Sequence, residues 1–314
     1  MPNVSSPSPQ PAAQPAAQPI PRRALILLVI LTLVWGTNWP LFPIAMKEIS
    51  VWTFRAISAS LAGFALLAYA KSRGQSLAIP REHWLTVVLA TFFYLVTWNI
   101  LTAYAAILIP SGQAAVLGFT MPLWSALISW ALLGERLTRR LMLAVLLGGA
   151  AVTLLMVPSF RAYANAPLGL ACGLLAGLGW AVGTLILKRG KVAVPAAVLT
   201  GWQLVINAVP ISIGAAVLGD WQWFMPSWQT IVVVAYIALV PMTIGNACWF
   251  AIVGMLPANV AGLSSIMVPV VAMLSGALVH GEPLGPVQWL AIVCCMASLS
   301  LALLKPATPA GPVK

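Results

Sequence analysis

The chain has 314 residues, of which 61% are hydrophobic and only 7% charged, and its net charge is +11. A soluble globular domain carries about 25% charged residues, so 16 basic and 5 acidic side chains are too few to solvate a fold of this size in water. That excludes a water-soluble enzyme or binding domain and points to solvation by lipid, as does a mean hydropathy of +0.98.

In chain order, residues 1–23 form a Pro-, Ala-, Gln- and Ser-rich stretch that is uncharged until Arg22 and Arg23, and it is expected to be a disordered cytoplasmic tail. The apolar run that follows is too long for a signal-peptide core and has no small-residue cleavage site near its end. Arg22-Arg23 leaves a twin-arginine export signal open in principle, although the residues around Arg22 lack the rest of that pattern. A bilayer core takes about 20 apolar residues per helix. Breaks at charged, Pro and Gly clusters then give ten spans: 24–46, 51–70, 84–106, 111–132, 139–157, 167–187, 196–218, 229–250, 258–280 and 286–304, with tight hairpins at Pro110 and Pro257. Residues 305–314 form a second cytoplasmic tail.

With the N-terminus in the cytoplasm, 13 of the 16 Lys and Arg residues fall on the cytoplasmic side, Lys47 and Arg161 on the other, and Arg55 inside a span. This is the positive-inside bias, with both termini cytoplasmic. It accounts for the net charge through topology and attraction to anionic lipid, without a nucleic-acid partner. A multi-pass chain of this kind belongs in a cell membrane, the inner membrane of a Gram-negative cell.

The acids are Glu48, Glu82, Glu135, Asp220 and Glu282, the histidines His83 and His280. They form no HExxH, DxxxD or phosphate-binding loop. Cys172, Cys248, Cys294 and Cys295 lie in apolar stretches without metal-ligand spacing and read as packing residues. No metal and no cofactor is expected.

The chain resembles itself at an offset of 147 residues: Pro110 falls on Pro257, Pro122 on Pro269, Gly134-Glu135 on Gly281-Glu282, Leu137 on Leu284, and Asn99 on Asn246. Trp35 and Trp180 correspond at an offset of 145. Each copy holds five spans, an odd number, so the second copy enters the bilayer inverted. The expected fold is an all-α membrane protein of ten transmembrane helices in two inverted repeats, 24–157 and 167–304. Inverted repeats meeting at the midplane are the architecture of secondary transporters.

The order of Trp35-Gly36-Thr37-Asn38, Lys47, Arg55, Pro122, Gly134-Glu135-Arg136-Leu137 and Gly148-Gly149, then Trp180, Trp202-Gln203, Pro269 and Gly281-Glu282-Pro283-Leu284, resembles the EamA-type permeases of the drug/metabolite transporter superfamily. The resemblance covers residues 24–304. It implies a ten-helix permease that exports amino acids or other small metabolites, with the first four helices of each half lining the cavity and the fifth and tenth peripheral.

Polar groups inside a bilayer need a partner or a wet cavity. Arg55, with Ser58 on its face, reads either as a contact to a substrate carboxylate or as a side chain snorkelling to the nearby surface. Gln203 and Asn207 lie one turn apart on one helix face. Span three carries Trp98 and Asn99, and span eight carries Asn246 and Trp249; the repeat-equivalent Asn99 and Asn246 read either as substrate contacts or as hydrogen-bonding glue between helices. Trp35 and Asn38, with Trp39, and Trp180 with Thr184 read as cavity walls. Trp52, Trp84, Trp221, Trp223 and Trp228 read as an interfacial belt. The expected substrate cavity is therefore Trp35, Asn38, Arg55, Trp98, Asn99, Trp180, Gln203, Asn207 and Asn246. Pro122 and Pro269 are candidate hinges, equally well static kinks. Gly169, Gly173 and Gly177 mark a close helix contact. Glu135 and Glu282 read as turn caps, so no carboxylate is placed at the membrane centre for proton coupling.

The expected function is a permease for a small-molecule substrate in the lipid bilayer, working by alternating access. The alternatives are a membrane-embedded enzyme, which would need clustered acids or His, and a lipid flippase, which would need a cavity open sideways. Monomer and homodimer are both compatible with the sequence.

Overall fold

Ser50 and Ser227 each precede an apolar helix, and each side-chain oxygen accepts the backbone N–H three residues on, from Thr53 at 3.1 Å and from Thr230 at 3.3 Å. These are N-caps, satisfying an orphan donor where the helix leaves the membrane edge. The computed structural model describes residues 21–109, 111–134, 138–156, 165–218, 226–256, 265–280 and 284–303. The predicted tails, apart from residues 21–23, and the turns holding Pro110, Glu135, Pro257 and Glu282 lie outside the described residues, as does the loop with Asp220.

Among the described residues the fold is helical throughout, with no strand. The helices are α1 (Arg22–Gly36), α2 (Phe42–Met46), α3 (Val51–Ser72), α4 (Trp84–Thr91), α5 (Thr97–Leu108), α6 (Ser111–Gly118), α7 (Met121–Leu133) and α8 (Arg139–Met156). Then follow α9 (Pro167–Gly190), α10 (Ala196–Leu218), α11 (Trp228–Ile237), α12 (Asn246–Met255), α13 (Val268–His280) and α14 (Pro286–Leu303). Six stretches are long and apolar enough to cross a bilayer: Arg22–Met46, Val51–Ser72, Arg81–Ala105, Pro167–Gly190, Ala196–Leu218 and Trp228–Met255. The remaining four expected spans fall on shorter or interrupted apolar helices.

Several spans that read as continuous helices are broken. Span one leaves the helix at Thr37 and resumes through a 3-10 turn at Trp39–Leu41 before α2. Span three carries a π-helical segment at Phe92–Val96 between α4 and α5, and span eight carries one at Ala238–Gly245 between α11 and α12. Pro241 lies inside the second; it has no N–H to give the i−4 ladder, which favours such a defect. Span four breaks at Phe119–Thr120, and Pro122 is the second residue of α7; Pro269 is likewise the second residue of α13. Both prolines therefore stand where a missing N–H costs nothing.

Glycines set the closest approaches. Helix α10 runs antiparallel to α3, with Gly63 against Val205 and Gly201 against Leu67. Helix α9 presents Gly169, Gly173 and Gly177 to Ile109, Leu117 and Gly118, and Gly183 and Gly190 to Tyr94 and Thr86. Helix α1 packs against α12, α13 and the second π segment. Helices α8 and α14 form a pair at the side, sealed by small residues, with the Ser298 hydroxyl donating to the Ala144 carbonyl at 2.6 Å. The main apolar core lies between α1, α3, α4, α5, α9, α10, α11 and α12.

Candidate functional site

The breaks in spans one, three and eight meet in the middle of the bundle, and the aromatic side chains beside them pack together. The Trp180 ring centroid lies 4.0 Å from Tyr94, 4.7 Å from Trp98, 5.3 Å from Trp35 and 5.7 Å from Trp249, all tilted or edge-on. Those are the favoured aromatic geometries. Trp39 and Trp98 continue the cluster to Phe119, at 5.9 and 6.0 Å. The Trp35 indole N–H donates to the Pro241 carbonyl at 3.1 Å, which ties span one to the second π segment.

The cluster walls a chamber of about 50 Å³, lined by Trp35, Asn38, Trp39, Phe42, Arg55, Leu95, Trp98, Asn99, Phe119, Trp180, Pro241, Met242 and Asn246. Beyond Arg55 and Asn99, a larger cavity of about 320 Å³ opens among Met46, Ile49, Ser50, Val51, Trp52, Ile100, Ala103, Tyr104 and Ile211. Arg55 and Asn99 line both, so they stand at the partition. At the far end of α1 a third cavity, of about 570 Å³, holds Arg23, Lys188 and Lys191. There the Lys188 ammonium donates to the Val253 and Leu256 carbonyls, at 2.6 and 2.7 Å, and caps the C-terminal end of α12. The three spaces thus follow one another along span one.

The polar groups at the partition are held unequally. Asn99 donates to the Leu95 carbonyl at 2.9 Å and to the Asn207 side chain at 3.4 Å. Asn246 donates to the Met242 carbonyl at 2.8 Å and accepts from the Tyr94 hydroxyl at 3.3 Å. Each Asn thus satisfies a carbonyl of the π segment that precedes it. Arg55 is 8% exposed, with its guanidinium carbon 4.6 Å from the Phe42 ring centroid and 5.5 Å from that of Phe54. Its Nε has no hydrogen-bond partner, and among the described residues no carboxylate lines any of the three cavities. Arg55 therefore faces the cavities and does not snorkel to the surface.

Seven of the nine expected cavity residues line the chamber: Trp35, Asn38, Arg55, Trp98, Asn99, Trp180 and Asn246. Gln203 and Asn207 are fully buried and line none of the three cavities; Asn207 reaches the chamber only through Asn99. Phe42, Leu95, Phe119 and Met242 also line the chamber and are not among the expected wall residues, while Tyr94 packs behind the wall on Trp180. Pro241 and the repeat-equivalent Asn pair were the available signals for the two π segments. Among the described residues no group of His, Cys, Asp or Glu is placed to hold a metal.

Long apolar helices, a discontinuous first span and cavities strung through the bundle define a polytopic helical membrane protein with internal cavities. The EamA-like transporter family matches residues 22–157 and 167–304 in two copies, and the chain belongs to that family. The chain is 28% identical to "Uncharacterized inner membrane transporter YedA" of Escherichia coli (strain K12), over 91% of this chain and 92% of that protein. It is 24% identical to "Uncharacterized transporter YvbV" of Bacillus subtilis (strain 168), over 83% and 85%. It is 23% identical to "Probable amino-acid metabolite efflux pump" of Escherichia coli (strain K12), over 88% and 94%. A solved crystal structure with 20% sequence identity shares the fold, at a TM-score of 0.75 over 90% of this chain and 97% of its own.

Proposed function

We propose that this chain is a secondary transporter that moves a small metabolite across a cell membrane by alternating access between two inverted five-helix repeats. The observation that carries the reading is the arrangement of cavities: a closed aromatic chamber between a vestibule at one end of span one and a basic cavity at the other. A solute passing through would meet them in order.

The helix contacts support the repeat. In span numbers, one packs on eight and nine, six packs on three and four, and two pairs with seven and five with ten. A twofold axis that exchanges the halves turns each of these contacts into another of the set. The matched π segments and the matched Asn99 and Asn246 fit the same axis. A chamber of about 50 Å³ is wide enough only for a few waters, which fits a state with the centre closed. The basic-residue bias supports cytoplasmic termini. The name of one relative as an efflux pump supports export, and that of another supports an inner membrane in a Gram-negative cell.

The test is solute counterflow in vesicles carrying the purified protein, screened over amino acids, carboxylic acids, amines and sugars. Trp180→Cys, made in a chain without its native cysteines, is labelled with a small aqueous reagent alongside. Saturable counterflow of one solute class, with labelling slowed by that solute, is expected. No counterflow above empty vesicles, with Trp180→Cys inaccessible throughout, would overturn the reading.

A further inference from the structure

Arg55 is a charge inside the bundle whose surroundings hold it without neutralising it. The rings of Phe42 and Phe54 lie within cation–π reach. A ring quadrupole attracts a cation but carries no net charge, so the guanidinium keeps its full positive charge and its in-plane N–H groups. Arg does not lose its proton at any working pH. An unpaired charge inside a membrane bundle is costly and marks a functional site whose partner should be sought, and among the described residues no carboxylate lines either cavity that Arg55 borders.

The larger of these cavities, at about 320 Å³, falls in the range of small-molecule sites. Its polar groups are few and mostly engaged. The Ser50 hydroxyl caps α3, and the Asn99 amide N–H groups bond Leu95 and Asn207. Apart from the Tyr104 hydroxyl and the Trp52 indole N–H, the remaining wall is apolar, notably Met46, Ile49, Val51, Ile100 and Ile211.

We propose that the solute is a small amphipathic organic monoanion that places its oxyanion group on Arg55 and its apolar body in this cavity. The inference rests on the transport reading and names its substrate class. A planar oxyanion matches the guanidinium fork. A sugar would leave hydroxyls unpaired against Ile and Trp side chains. An α-ammonium, two bonds from a bound carboxylate, would lie beside the guanidinium with no acid to balance it. A carboxylic acid without that ammonium is therefore favoured over the corresponding amino acid.

The experiment is calorimetric binding to the full chain in phosphatidylcholine nanodiscs, using phenylacetate and hexanoate, their amides, phenylalanine and phenethylamine. At least one of the two anions is expected to bind about tenfold or more tighter than its amide, as for a charge-assisted pair. Phenylalanine should be weaker, and phenethylamine should not bind. Arg55→Gln should bring acid and amide to parity, and Arg55→Lys should keep part of the gap. Ile211→Trp, which fills the cavity, should weaken acid and amide alike, so the assignment does not depend on the Arg55 variants folding. Parity of acid and amide in the unmodified protein, no binding of either anion, or phenylalanine equal to phenylacetate would overturn the inference. So would undiminished binding in Ile211→Trp. Displacement of the bound anion by phosphatidylglycerol in the disc would assign the site to a lipid oxyanion and overturn it too. Preference for the anion without any counterflow would defeat the transport reading and leave the site standing; counterflow without anion preference would do the reverse.

Discussion

At the scale of single residues, burial alone does not sort the polar side chains; what lies opposite each one does. Glu48 is the outlying case. It is exposed, between α2 and α3, and its carboxylate accepts the backbone N–H of Ser227, the N-cap of α11, at 2.8 Å. That backbone hydrogen bond, with help from the Ser227 and Thr230 side chains, holds the Glu48 carboxyl below the usual carboxylate range. The sign follows: a carboxyl lowered in the folded state stabilises it fully above its ordinary value, and the benefit disappears as pH falls through the lowered one. Glu48→Gln should lower the melting temperature measurably at neutral pH and converge with the unmodified protein in acid; an offset independent of pH would assign the loss to something other than the charge. Arg55, Asn99 and Trp180 were legible in the sequence because a polar or amphipathic group within an apolar run is unusual. Tyr94 was not, since an aromatic residue in the run FFYLV carries no mark of which face it takes. Gln203 and Asn207 share a face by helical period, but that period does not say whether the face meets a cavity or another helix. For Asn207 it meets Asn99 of α5.

Among elements, α9 is the one the sequence described best and the π segments the ones it hid. A glycine every fourth residue states that another backbone comes close, and α9 does run against Ile109, Leu117 and Gly118. A second stripe, Gly179, Gly183 and Gly190, meets span three. At Gly183 an added Cβ would lie 2.6 Å from the Ala90 carbonyl oxygen and 2.7 Å from the Tyr94 amide nitrogen. Those are backbone atoms and cannot turn aside. Gly183→Ala is therefore expected to destabilise by about 1–3 kcal/mol through overpacking, and to disturb Tyr94 beside Trp180. Gly254, around which nothing lies within 4 Å of an added Cβ, is the control: Gly254→Ala should be neutral or stabilising in thermal unfolding. Equal melting temperatures for Gly183→Ala and Gly254→Ala would remove this account of the α9 contact. The breaks within spans one, three and eight escaped the sequence reading because hydropathy reports a continuous apolar run whether or not the hydrogen-bond ladder skips a residue. Only Pro241, and the two Asn residues that satisfy the displaced carbonyls, betray the skip.

For the whole molecule, composition fixed the solvent and the offset of 147 residues suggested the repeat, whereas the position of the cavities required coordinates, because they arise where broken helices from both halves meet. Under the transport reading, the energetics follow from what lines them. Among the described residues neither Asp, Glu nor His borders the vestibule, the chamber or the basic cavity. Glu48 is engaged with Ser227 at the bundle edge. Lys188 and Lys191 border the basic cavity, where the Lys188 ammonium is tied to the Val253 and Leu256 carbonyls. At the chamber and vestibule, where a proton-coupled carrier would exchange a proton for solute, the cation among the described residues is Arg55, which does not titrate. Transport should therefore need no proton exchange. A monoanion crossing while Arg55 keeps its charge moves net charge, at about 2.3 kcal/mol per 100 mV of membrane potential. The check uses phenylmethanesulfonate, which stays ionised and so does not leak through lipid as a neutral acid. In vesicles, a potassium diffusion potential at equal pH should drive its accumulation toward the positive side. A pH step at clamped voltage should leave its distribution unchanged. Accumulation driven by the pH step and abolished in Glu48→Gln would make Glu48 a proton carrier and reverse the conclusion.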